Sequence, residues 1–466
     1  MSKLRPSCVL LCLGAIALYG RVDGARAADP DAAKIRLRTQ ESRLANGLDV
    51  ILHEDHRTPI VSVDIWYNVG SKDEAPGHYG FAHLFEHVMF QGSKHVPEDT
   101  YFRYLERAGA SSVNGTTAED RTNYFETVPK NRLELALWLE SDRMGFLLDH
   151  VDQKTFAGQR EVVKNERRQN YENAPYGMVV QFVNEALYPP SDPYHHLAIG
   201  SPEDLDRATL DDVKEFFRRW YVPNNATLVV AGDIDPGATL ELVDRYFGPI
   251  PSGLVPEHAK AAAVLPGGER RLEIEAGVQL PRVIVAWVTP RFFAPGDAEL
   301  DLLAHVLSGG KTSRLYKRLV YDDQIAQDVS ASQESGELSS KFEIVATAKP
   351  GHSPDELLAA IDQELARVRD AGVDDAELTR ARTDFLARKA FRLENEGARA
   401  DTINEYAHYT GDPAYLEKDV ARYERSTPAA VKEVAQAWLP LGRRVVAAVR
   451  PTKDAPLSGR LAGRMP

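Results

Sequence analysis

His83, Glu86 and His87 fall within five positions of the stretch FAHLFEHVMFQGS, residues 81–93. Residues four apart on a helix share a face, so both imidazoles can be aimed at one ion. Glu86, one residue before His87, lies near that face and can reach a water held by the same ion. This H-x-x-E-H order reverses H-E-x-x-H and carries the chemistry of a metal-assisted hydrolase. Two neutral imidazoles and one further carboxylate would bind a single zinc per chain and leave a fourth position open. Glu86 would then be the general base on the zinc-bound water, passing the proton on to a leaving amine. Ligand type and availability favour zinc over manganese or cobalt. The opposing reading makes HLFEH the polar side of an ordinary surface helix, so a third ligand decides between them.

The stretch DQKTFAGQREVVKNERRQNYENAP, which starts at Asp152, offers Glu161, Glu166 and Glu172. Val163 and Glu166 are three apart and share a helical face, so an apolar neighbour can carry Glu166 towards the core. Glu161, five residues from Glu166, points elsewhere. Spacing favours Glu166 and leaves the other two open.

The elements that must position these groups alternate along the chain. LDVILHED and IVSVDIWYNVG read as adjacent strands, GFAHLFEHVMF as a helix and TNYFETV as a strand. Amphipathic helices follow over 131–147 and 152–170, then the helix TLDDVKEFFRRW and the strand ATLVVAGDI. Pro and Gly punctuate residues 248–268 and mark a linker. Beyond it the order begins again with strand RVIVAWVTP and helix ELDLLAHVLSGG, and ends with helix TPAAVKEVAQAWL and strand RRVVAAVR. Thr209 and Thr427, Val213 and Val431, Trp220 and Trp438, and His87 and His305 are all 218 residues apart. The chain therefore reads as α+β: two homologous α/β domains, each a mixed, antiparallel-rich sheet with helices packed on it. The expected limits are a catalytic domain over 28–250, a linker over 251–270, a non-catalytic copy over 271–455 and a tail over 456–466. At the same offset Asp301 replaces His83 and Ala304 replaces Glu86, and only His305 keeps its type. The second copy cannot bind metal through this helix, so the fold does not require the constellation, and His305 is read as a structural histidine.

At 466 residues, 43% apolar and 27% charged, the chain is globular and too long for one core. Lys3 and Arg5, the apolar run CVLLCLGAIALY and the small residues Ala25 and Ala27 read as a signal peptide over 1–27, cleaved after Ala27. An uncleaved membrane anchor is the alternative, and the run is short for one. Cleavage directs the protein to the periplasm or otherwise out of the cell. Both cysteines, Cys8 and Cys12, lie in that segment, so the mature chain relies on packing without disulfides. Removing it takes Lys3, Arg5, Arg21, Arg26 and Asp23 from totals of 56 basic and 69 acidic residues, leaving 52 against 68, a formal charge of −16. That disfavours nucleic acid as a partner.

Several separated stretches resemble successive motifs of the pitrilysin family of inverzincin metallopeptidases, in the family's order. They are GHYGFAHLFEHVMFQGS, ASSVNGTTAEDRTNYFE, REVVKNERRQNYENAPYG and YVPNNATLVVAGDID. The resemblance runs from about residue 40 to 450 and points to the short two-domain bacterial branch that is similar to mitochondrial processing peptidase. It implies that His83, His87 and Glu166 bind zinc, that Glu86 is the catalytic base, and that Glu161 and Glu172 are solvated helix charges. His78, His95, His195 and His196 match no family role and are read as loop or surface histidines. It also implies that SVNGTT is a strand edge to which an extended peptide adds, with Asn114, Gly115 and Thr116 as substrate contacts; a turn at N-G is the competing reading. The resemblance further implies that the two domains form half of a clam-shell chamber for short or unfolded peptides.

Four positions depart from the family pattern. Gly115 stands where alanine is usual, and Gln159 where many relatives have glutamate. Val320 and Gln327 stand where the second domain usually presents an arginine and a tyrosine to the substrate; Arg314, Arg318, Tyr316 and Tyr321 lie nearby at the wrong positions and are read as structural or surface residues. A zinc domain without that clamp points to a heterodimer whose homologous partner subunit carries it, a homodimer being the lesser alternative. Two other functions compete with an exported zinc endopeptidase: a weakly active or inactive assembly subunit, and a zinc-dependent peptide-binding module.

Overall fold

The computed structural model describes residues 36–254, 257–260 and 267–463. The expected signal peptide with Cys8 and Cys12, and parts of the expected linker and tail, lie outside the described residues.

Among the described residues, twelve strands form two six-stranded sheets. The first holds β1 (Gln40–Arg43), β2 (Asp49–Glu54), β3 (Ile60–Tyr67), β4 (Ser111–Thr117), β5 (Thr122–Pro129) and β6 (Ala226–Gly232), in the spatial order β1-β2-β6-β3-β5-β4. The second holds β7 (Arg270–Ala276), β8 (Arg282–Thr289), β9 (Ala326–Glu334), β10 (Ser340–Ala348), β11 (Val445–Pro451) and β12 (Arg460–Leu461), in the order β12-β7-β11-β8-β10-β9. Apart from the outermost β1 and β12 the two orders correspond strand for strand, each with one parallel pair, β2 with β6 and β7 with β11. The chain is thus two homologous α/β domains with mixed, mainly antiparallel sheets.

β2 and β3, expected as neighbours, are separated by β6, which runs parallel to β2 and antiparallel to β3. The reason lies in its sequence: Leu228 and Val230 enter one core cluster and Val229 and Ala231 another, on the opposite face. A strand apolar on both faces belongs in the interior of a sheet covered on both sides.

Six helices matter for the site: α1 (Phe81–Val88), α2 (Gln153–Arg167), α3 (Val179–Leu187), α4 (Asp297–Ser308), α5 (Asp375–Arg392) and α6 (Glu396–Thr410). α1 packs on α2, and α4 on α5. α3 and α6 cross over. Val179, Val183 and Leu187 of α3 bury against Leu272, Ile274, Val445, Ala447 and Val449 of the second sheet. Ala400, Ile403 and Tyr406 of α6 bury against Ile51, Val229 and Ala231 of the first. The exchange obeys the offset seen in the sequence, since 218 added to Val179 gives Gly397, one residue inside α6. Each fully buried Val, Leu or Ile in these contacts contributes about 1.5–3 kcal/mol, so each half stabilises the other's sheet. A polar contact marks the same junction: Asn404 of α6 donates to the backbone carbonyl (2.9 Å) and the carboxylate (3.1 Å) of Asp64 on β3. Burial, and then the nearby Asp401, push the Asp64 carboxyl up to about 8.

Candidate active site

α1 begins at Gly80, whose φ of +104° is a left-handed conformation that glycine adopts without strain. A Cβ there would lie 3.0 Å from Gly200 Cα and 3.1 Å from the Ile199 carbonyl. The helix start is capped from a distance: the buried Glu74 carboxylate accepts from the Gly80 N–H (2.9 Å) and the Ala82 N–H (2.8 Å). Behind it His196 Nε2 lies 3.0 Å from Glu74 and its ring stacks on Tyr79. His196, expected as a loop or surface residue, has a side chain only 11% exposed, because it packs between the buried Glu74 carboxylate and the Tyr79 ring. Phe81, Leu84, Phe85 and Val88 bury one side of α1, which leaves His83 and His87 facing α2.

α2 is capped by the Asp152 side chain, which accepts from the Thr155 N–H at 2.8 Å. Phe156 and Val163 anchor it in the core, and Glu166 follows one turn after Val163. Glu166 Oε2 lies 3.3 Å from His87 Nε2 and 3.7 Å from His83 Nε2. One donor atom from each of the three residues lies within 4.8 Å of the other two. The other Glu166 oxygen faces Asn170 Nδ2 at 3.4 Å. Burial, and then His87, push His83 down to about 4, so its imidazole is neutral at neutral pH and has a lone pair to offer. A set of two imidazoles and one carboxylate fits zinc. Glu161 pairs with Lys164 and Glu172 with Arg167, and neither is grouped with the histidines.

Glu86 accepts a 2.7 Å hydrogen bond from Thr117 Oγ1. Burial raises its carboxyl above the usual range, while Thr117 and His87 act in the opposite direction. Asn114, Gly115 and Thr116 lie on β4, the outermost strand of its sheet, so N-G is part of a strand and makes no turn. β4 pairs with β5 through Asn114 with Phe125, Gly115 with Tyr124 and Thr116 with Asn123, after an irregularity between Ser111 and Asn114. A Cβ at Gly115 would lie 3.1 Å from Glu86 Cγ, so this glycine opens space over the carboxylate. Thr117 was missed in the sequence, although strand alternation puts it on the same face as Gly115. Glu74 was missed as well, and no capping signature announces a carboxylate six residues before Gly80.

The turn after β4 is tied to the second half. Asp120 accepts from Tyr194 Oη (2.6 Å), Tyr409 Oη (3.2 Å) and the Glu337 N–H (2.9 Å). The buried Lys72 donates to the Asp120 carbonyl at 2.8 Å and pairs with Glu337 at 3.1 Å. Val320 packs on the second core and Gln327 is exposed on β9. Arg314 is held by Glu377 at 2.6 Å and Arg318 by Glu364 at 2.9 Å, as structural residues would be, while Tyr321 is 73% exposed. His95 pairs with Asp142, His195 Nδ1 meets the Tyr188 carbonyl, and His78 packs edge-on against Phe81.

A family model described as "Insulinase (Peptidase family M16)" matches residues 49–192, and one described as "Peptidase M16 inactive domain" matches residues 207–385. The chain belongs to peptidase family M16, the pitrilysin family. Among M16 relatives it is 29% identical to "Zinc protease PqqE" of Helicobacter pylori, over 78% of this chain and 82% of that one. It is 22% identical to a probable mitochondrial-processing peptidase subunit beta of Arabidopsis thaliana, over 90% and 79% respectively. The crystal structure of a protease from Helicobacter pylori matches with a TM-score of 0.83 and 25% identity, covering 90% of this chain and all of that one. The periplasmic protease PqqL from Escherichia coli matches with a TM-score of 0.75 and 18% identity, over 90% of this chain and 48% of that one.

Proposed function

We propose that this M16 chain is an exported zinc-dependent endopeptidase acting on short or unfolded peptides. The observation that carries the reading is the convergence of His83, His87 and Glu166 donor atoms beside Glu86. His83 and His87 would hold the metal through ring nitrogens and Glu166 through a carboxylate oxygen. When bound, zinc supplies Lewis acidity, which polarises a peptide carbonyl and acidifies water. Glu86 accepts a proton from the attacking water at its carboxylate and delivers it to the leaving nitrogen. Thr117 fixes the Glu86 carboxylate while this happens. An extended peptide adds to the free edge of β4 by backbone hydrogen bonds, past Asn114, Gly115 and Thr116. Such binding reads backbone more than side chains, and the sequence preference is accordingly loose.

Export rests on the N-terminal sequence pattern; among the described residues no helix is long and apolar enough to cross a membrane. The substrate clamp is supplied by a homologous partner subunit that closes the chamber. Val320 and Gln327 support this, since neither offers a guanidinium or a phenol. In PqqL the same fold occupies about half of a longer chain, a fold-level precedent for pairing two such units.

Purification from the native source, followed by assay of an unfolded peptide mixture, tests the reading. Zinc-dependent cleavage by a fraction that contains a second M16 chain is expected. A solitary, fully active monomer contradicts the heterodimer, and no cleavage with the partner present contradicts the peptidase.

A further inference from the structure

The 218-residue offset carries one step beyond His305: added to Glu166 it gives Asp384, on α5. His305 Nε2 lies 3.6 Å from Asp384 Oδ2, much as His87 Nε2 lies 3.3 Å from Glu166 Oε2. The second half therefore keeps two groups of the first half's cradle in their relative positions. Asp301, in the place of His83, turns away and accepts from Tyr423 Oη at 2.7 Å. Ala304, in the place of Glu86, supplies no proton acceptor.

Arg388 occupies what remains. Its guanidinium lies 3.0 Å from His305 Nδ1 and 2.9 Å from Asp384 Oδ2. A cation against both groups opposes a metal there by charge. Gly309 crosses the His305 ring so closely that a Cβ would collide with it, which fixes the ring in place.

Beside these groups opens a cavity of about 360 Å³, whose wall includes His305, Ser313, Arg380, Asp384 and Arg388. Its carboxylates are already engaged, Asp384 by Arg388 and Glu377 by Arg314 at 2.6 and 2.7 Å. Arg380 is an exposed residue of that wall, with no ion pair or hydrogen bond among the described residues. The wall thus offers an exposed guanidinium free of carboxylate partners, and a guanidinium fork matches a carboxylate in two hydrogen bonds.

We propose that this cavity binds the C-terminal carboxylate of a peptide, with Arg380 as the charged anchor and the His305–Arg388 pair lining the same cavity. The choice of a peptide rests on the endopeptidase reading. The volume admits the terminal residue together with its carboxylate. With Ala304 in the place of a base, the pocket holds a peptide end without cleaving it.

The test uses the full chain carrying Glu86→Gln and one N-acetylated peptide prepared as the free acid and as the C-terminal amide, titrated by fluorescence anisotropy. The free acid is expected to bind about ten-fold more tightly than the amide. Arg380→Gln is expected to remove that preference and leave amide binding unchanged. Equal affinities for acid and amide, with wild-type cleavage intact, overturn the pocket and spare the endopeptidase. Binding of inorganic phosphate that Arg380→Gln abolishes, without an acid preference, makes the cavity an inorganic oxyanion site and overturns the proposal. Failure of both peptides to bind, together with an inactive wild type, removes both readings.

Discussion

Thr117 Oγ1 donates a 2.7 Å hydrogen bond to Glu86 Oε2, joining the last residue of the edge strand β4 to the carboxylate on α1. The strand proposed to receive substrate and the proposed base are therefore held by one contact. Replacing the hydroxyl with a methyl, as in Thr117→Val, keeps the shape and removes the donor. A hydrogen bond to a charged group is worth about 1.5–3 kcal/mol, so kcat is expected to fall about ten-fold or more. Zinc content is expected to stay the same. Steady-state kinetics with metal analysis checks both.

Glu74 holds the start of α1, and Glu74→Ala leaves the Gly80 and Ala82 N–H groups without their acceptor and His196 without its partner. The loss is expected to be about 1–3 kcal/mol, measured by urea unfolding. Zinc affinity falls with it, because His83 sits in the first turn of that helix. Glu74→Gln retains an acceptor and is expected to do less harm.

Glu337 gives a pH dependence. Burial alone would raise its carboxyl, but His408 and Lys72 hold it at about 2, below the ordinary 4.5. A depressed folded value means that the group's stabilisation is fully present above 4.5 and is lost as pH falls towards 2. Wild-type stability is expected to drop more steeply through that window than the stability of Glu337→Gln. Urea unfolding at a series of pH values reads the difference.

Metal removal should separate chemistry from folding. α1 and α2 are anchored by Phe81, Phe85, Phe156 and Val163 in the core, without help from the cradle. Chelation is expected to abolish cleavage while leaving the far-UV circular dichroism unchanged. Tm is expected to fall, since a ligand at a thousand times its Kd adds about 4 kcal/mol. Added zinc restores activity.

Much of this was legible in the sequence for local reasons. Helical spacing put His83 and His87 on one face, Val163 carried Glu166 inwards, and the offset exposed the second copy. What escaped depends on distant parts of the chain. Helical periodicity shows that α3 and α6 have apolar faces, but not that each covers the other half's sheet. Strand pattern shows that β6 is apolar on both faces, but its place between β2 and β3 is set by a segment some 160 residues away. Glu74 and His196 meet 122 residues apart, and no local signal joins them.

In the proposed reaction Glu86 moves the proton at a metal held by His83, His87 and Glu166. Zinc content and peptide cleavage, measured together on wild type and Glu86→Gln, test it most directly. One zinc per chain is expected in both proteins, with cleavage only by the wild type. A wild type that binds no zinc, or a Glu86→Gln variant that cleaves as fast as the wild type, would contradict it.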